Sequence, residues 1–141
     1  MGQAPADLSL HFADSELAGV QLWPGPNRVA GLQLRWSAAA VIAPAESPGA
    51  RPRQGHVRGL LMALWPALPQ GASEAGLPLG ALLDGEVLWQ GQRLRQLALP
   101  ARLEGPVSLR LWGRRGELWA WHGQGLCCDA GGLSFFESLA C

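Results

Sequence analysis

Alternation of apolar and polar side chains, repeatedly interrupted by glycine and proline, is the feature that most restricts the fold of this chain. A period of two puts one set of side chains on a buried face and the other in water, the pattern of a half-buried β-strand. Leu8, Leu10 and Phe12 alternate with Asp7, Ser9 and His11. Leu32, Leu34 and Trp36 alternate with Gln33, Arg35 and Ser37, and this run extends through Val41 and Ile42. Further strands are predicted over 56–65, 80–89, 92–99, 107–112, 117–122 and 133–136. Helical spacing is weak and confined to 59–64 and 72–75.

Punctuation is dense, with 19 glycines and 11 prolines. Pro24-Gly25-Pro26-Asn27 has the composition of a turn, because proline presets φ and glycine or asparagine tolerates positive φ. Two longer loops, 44–55 and 66–78, separate strand-like segments of the same character, so residues 1–141 read as a single domain. No repeat of solenoid length is present. These patterns predict an all-β fold, a single antiparallel β-sandwich or partly open barrel of about eight strands, with little helix.

Composition narrows the partners. Hydrophobic residues make up 48% and charged residues 16% of the chain, and 11 basic side chains balance 11 acidic ones. A net charge of zero offers no general attraction for nucleic acid or an anionic membrane. Every basic residue is arginine, and lysine, threonine and tyrosine are absent, a skew expected of a GC-rich bacterial coding sequence. Residues 1–12 lack the basic and apolar regions of a secretory signal. Ala6 stands where a myristoylation motif wants serine or threonine. The longest apolar run, 60–68, is too short to span a bilayer. Three cysteines, an odd number, do not suit a disulfide framework. Together these features predict a cytoplasmic protein with reduced thiols and no membrane association.

Two hairpins can be drawn from local sequence. Gln90-Gly91 is a two-residue loop that sets Val87 opposite Leu94 and Trp89 opposite Gln92. Gly113-Arg114-Arg115-Gly116, taken as a four-residue loop, sets Leu111 opposite Leu118 and Leu109 opposite Ala120. In that register the other face carries Arg110, Trp112, Trp119 and Trp121, where an arginine stacked on an indole is worth roughly 0.5–1 kcal/mol. Three exposed indoles on one patch would be a large apolar surface, so this face is expected to be covered. The cover would be another sheet, a second copy of the chain, or a protein partner.

The stretch 85–137 has the order Gly85-x-Val87, Gly91, Leu97-x-Leu99-Pro100, Gly105-x-Val107-x-Leu109-x-Leu111, Gly116-x-Leu118 and Gly123-x-Gly125, closing on Phe135-Phe136-Glu137. This resembles a group of small bacterial β-rich proteins that end in an aromatic residue followed by glutamate. The resemblance implies a β-rich fold and carries no activity with it.

Candidate chemistry is sparse. His122, Cys127, Cys128 and Cys141 supply soft donors for a metal, but adjacent cysteines suit one tetrahedral ion poorly, so no metal or other cofactor is predicted. Asp84 and Glu86 flank Gly85, and Asp14 and Glu16 flank Ser15, which suits turns and solvated ends better than paired acid–base catalysis. No Gly-x-Ser-x-Gly elbow or Walker motif occurs, and Gly123-x-Gly125 lacks the third glycine of a dinucleotide fingerprint. His11, His56 and His122 have no serine and aspartate partners evident in sequence. Arg51-Pro52-Arg53 and Arg114-Arg115 are local positive points, not the continuous basic surface a nucleic acid needs. The expected function is therefore non-catalytic: a structural, accessory or protein-interaction module, or a homo-oligomer joined through the Trp112/Trp119/Trp121 face. The alternatives are a small-ligand or carbohydrate-binding module using Arg110 and the three tryptophans, and a Cys/His metal or thiol-redox site.

Overall fold

Among the described residues twelve strands realise the alternation: β1 (Gly2–Gln3), β2 (Leu8–Pro24), β3 (Ala30–Ala43), β4 (Arg53–Val57), β5 (Leu60–Trp65), β6 (Leu68–Pro69), β7 (Gly80–Trp89), β8 (Gln92–Leu94), β9 (Gln96–Leu99), β10 (Ala101–Gly113), β11 (Leu118–Asp129) and β12 (Ser134–Glu137). The computed structural model describes residues 2–3, 7–24, 30–66, 68–69 and 79–138. Among these there is no helix, and 59–64, with its weak helical spacing, contributes to β5. The loop tip 25–27, the helical hint at 72–75 and Cys141 lie outside the described residues.

The all-β expectation holds, but the architecture is a closed barrel of six strands with further strands outside it, neither the β-sandwich nor the partly open barrel of about eight strands that the sequence suggests. Strands β2, β3 and β5 form one antiparallel meander, and β7, β10 and β11 form a second. Pairing of β5 with β11 and of β2 with β7 joins the two meanders along both seams. The fourth barrel strand, β7, thus returns beside the first, which is Greek-key order. Closure leaves the six barrel strands no free edge between the meanders. The remaining strands lie outside this ring: β4 on the second half of β3, β12 on β4, β1 on β12, β9 on β2, β8 on β7 and β6 on β11.

One irregularity lets β2 serve two neighbours. His11 pairs with Ala40 and Glu16 with Ala38, so four residues of β2 bulge against one of β3. Before the bulge β2 pairs with β9, and after it with β7. Asp14 takes a φ of 65°, and Ser15, fully buried, supplies the bonds the bulge interrupts. Its hydroxyl donates to the His11 carbonyl at 2.6 Å and accepts from the Ala40 amide at 2.9 Å. The Asp14-Ser15-Glu16 segment is therefore a bulge inside a strand, where the sequence suggests the turn after one.

A six-stranded barrel is too narrow for an internal ligand cavity, and side chains fill it. Phe12 and Trp36, with ring centroids 6.0 Å apart, belong to the same core as Leu34, Met62, Leu109 and Leu111, all fully buried. Packing is close enough that a Cβ on Gly85 would lie 2.7 Å from the Phe12 Cβ.

Candidate functional site

The Trp/Arg face does not form. Trp112 pairs with Leu118, Leu111 with Trp119, Arg110 with Ala120, Leu109 with Trp121 and Ser108 with His122, one residue out of the register drawn from sequence. The cause is the turn. Gly116 takes a φ of 85°, its amide donates to the Gly113 carbonyl, and the Gly113 amide donates to the Glu117 carbonyl. This is a three-residue loop with a glycine bulge, not a four-residue loop. The Glu117 carboxylate accepts from the Arg115 amide at 2.8 Å, so Glu117 closes the turn and does not pair with Trp112. A one-residue slip moves every side chain to the other face. Trp119 is buried in the core at 6% exposure, Trp121 packs against the core, and Leu118 is left 44% exposed. Arg110 and Trp112 remain on the outer face without them.

The loop at Gln90-Gly91 forms as drawn, with Val87 opposite Leu94 and Trp89 opposite Gln92. Both loop residues have positive φ, 50° and 74°, as a two-residue type I′ turn requires.

On the outer face Arg110 serves Glu86. The Glu86 side chain is 4% exposed, with Arg110 Nη1 3.7 Å from Oε1 and Arg93 Nε 2.9 Å from Oε2. The Arg93 approach is an ion pair without hydrogen-bond alignment, which leaves Oε2 short of a directed donor. Asp84 accepts from the Gly85 amide at 2.8 Å and faces Arg95 at 3.5 Å, while Glu16 accepts from the Ser37 hydroxyl at 2.8 Å. Asp14 faces Arg114 at 3.8 Å. Glu86 is thus buried where the sequence places a solvated acid, because its two arginine neighbours cover it.

The remaining metal candidates separate. Cys128 pairs with the buried Ala101 and Met62, whereas Cys127 pairs with Arg102 and Ala63, so the two thiols open on opposite sides of β11. Burial, with the neighbouring Cys127 and Asp129, pushes the Cys128 thiol up to about 12. Burial also raises Cys127, against the pull of Arg102. Among the described residues no group of three or more histidine, cysteine or acidic side chains is placed to hold a metal ion. His122 instead meets Ser108, with 3.0 Å between Nδ1 and the hydroxyl. This pair lines a shallow outer groove with Leu88, Trp89 and Pro106. The Trp89 indole there donates to the Glu104 carbonyl at 2.9 Å.

A second groove of about 460 Å³ crosses the outer wall over β2, β3 and β4. Its centre is one cross-strand row, His11–Ala40–His56–Phe136, set by the pairing of β2, β3, β4 and β12. Alanine at positions 38 and 40 makes a low floor, and the histidines stand on either side of it. His56 stacks on Phe136 with ring centroids 5.6 Å apart and planes 18° from parallel. The Arg58 guanidinium lies 4.9 Å from the centre of the Phe136 ring, which braces the stack. On the other wall His11 Nε2 is buried without a protein partner. Gln54, Ser138 and Asp14 complete the rim. Sequence reasoning passes over this site because its two histidines lie in different strands and meet only through the register of β3.

The fold and this groove define a filled, closed antiparallel barrel that presents a recessed site on its outer wall. The chain matches no family model, no curated protein and no solved structure.

Proposed function

We propose that this protein is a non-catalytic binding module, an accessory or interaction domain that recognises its target through the outer groove between His11 and His56. The observation that carries the reading is the shape of the wall there: an alanine floor between two imidazoles, within the size range of small-ligand sites. The packed barrel interior supports it by restricting recognition to the outside. Arginines already engage Asp84 and Glu86, which supports a structural use of those acids. A cytoplasmic setting with free thiols, as the sequence suggests, is part of the same reading.

Nitrogen-15 NMR with a panel of small metabolites, sugars and short peptides tests this proposal. Binding is expected to shift backbone signals of residues 11, 38–42 and 54–56. Turnover of a panel member, or shifts confined to other parts of the barrel, would overturn it.

The half-buried Trp112 beside the exposed Leu118 and Leu83 favours a second reading, a protein contact at that end of the barrel. Trp112→Ala with unchanged stability and a lower mass by light scattering would support self-association there.

A further inference from the structure

We infer that the outer groove takes an uncharged planar heteroaromatic ring, inserted over Ala40 between the imidazoles of His56 and His11. This deepens the binding-module reading and rests on it. His56 already has one ring face against Phe136, and the two are neighbours in a single cross-strand row. Its other face therefore turns toward Ala40, whose methyl group is too short to cover it. His11 stands on the far side of the same alanine.

The spacing suits one ring. Two inter-strand steps separate the histidine backbones by about 9.5 Å. A planar ring in van der Waals contact with both imidazoles needs about 7–8 Å between them, which a slight inward lean of the side chains provides. Such a ligand extends the Phe136–His56 stack by two members, in the offset geometry aromatic rings prefer.

Polarity limits the class further. Apart from the imidazoles, Asp14 is the only ionisable side chain among the described residues lining the groove, and Arg114 faces it at 3.8 Å. The floor of Ala38, Ala40 and Ile42 side chains offers a sugar no hydrogen-bond partners. Apart from the imidazoles, the polar side chains stand at the rim, in Asp14, Gln54 and Ser138, where they meet the edge of a ring and not its faces.

The test is an NMR titration of the intact protein with 9-methyladenine, in parallel with methyl glucoside. The expected result is ring-current shifts of the Ala38 and Ala40 methyl signals by 9-methyladenine alone. Ala40→Leu, an outward-facing change that fills the slot, is expected to weaken binding by at least about tenfold without altering the thermal melt. Shifts from methyl glucoside but not from 9-methyladenine would refute the planar ligand and leave outer-wall binding standing. Binding of 9-methyladenine that Ala40→Leu leaves intact would place the ring elsewhere and overturn the inference. So would the absence of shifts at millimolar 9-methyladenine.

Discussion

Replacing Ser15 by alanine removes one oxygen atom and is expected to destabilise the barrel severely. The Ser15 hydroxyl accepts from the Ala40 amide at 2.9 Å and donates to the His11 carbonyl at 2.6 Å, at a fully buried position. Alanine leaves the Ala40 amide with no acceptor, and an orphaned buried donor costs about 1–3 kcal/mol. The under-satisfied carbonyl costs less, about 0.5–1.5 kcal/mol as one net hydrogen bond. Together these give about 2–4 kcal/mol, a large part of the roughly 5–15 kcal/mol that holds a domain of this size folded. At about 3–4 °C per kcal/mol, Tm falls by roughly 9–12 °C for the middle of that range. Ser9→Ala is the matched control, since its hydroxyl donates to Gln96 in an exposed site and its loss costs no more than about 0.5 kcal/mol. Calorimetry and urea titration of the two variants measure the difference. If they melt together, Ser15 does not hold the bulge, and the account of how β2 changes partner is wrong.

Other perturbations test the register, the packing and the thiols. Trp119→Ala should cost about 3–5 kcal/mol and Leu118→Ala less than about 1 kcal/mol in urea titration, because Trp119 is core and Leu118 is exposed; the reverse order would restore the slipped register. Gly85→Ala forces a Cβ to 2.7 Å from that of Phe12 and to 2.9 Å from Leu111 Cδ2, and should lose about 1–3 kcal/mol by the same assay. In a Cys141→Ser background, alkylation of the folded protein should be slow at Cys128, whose thiol is pushed up to about 12, and faster at Cys127. The corresponding stability is intact below the thiol's ordinary value of 9.0 and declines as pH rises toward about 12, because the unfolded chain ionises first. Cys128→Ser should flatten that decline in alkaline melts.

The alternating middles of the long strands were legible because alternation reports directly on a half-buried sheet, whereas the break of 56–65 into β4 and β5 and the extension of β2 to Pro24, of β10 back to Ala101 and of β11 on to Asp129 were not. The Gln90-Gly91 hairpin was legible in register as well, since a two-residue loop with two positive φ values leaves one pairing. The hairpin at Gly113 was not. Leu118-Trp119-Ala120-Trp121 is apolar throughout, so burial pattern could not choose between neighbouring registers, and a left-handed Gly116 decided it. Closure of the barrel was hidden for another reason: it depends on pairings between residues as distant as Leu64 and Leu126, which leave no local trace. The groove was hidden in the same way, because His11 and His56 become neighbours only when β3 has paired on both sides.

The β5–β11 seam also sets an order of events during synthesis. A chain made from its amino end completes β5 long before β11 exists, and β11 is the last of the six barrel strands to emerge. Until then Leu60–Trp65 is an uncharged, apolar strand with one side bare, the kind of segment that pairs with its copy on another chain. Arg58 and Pro66 flank it, one carrying charge and the other unable to donate to a ladder, and such residues discourage stray strand addition. The nascent protein is thus guarded at the two ends of its most adhesive stretch while it waits for its own last barrel strand.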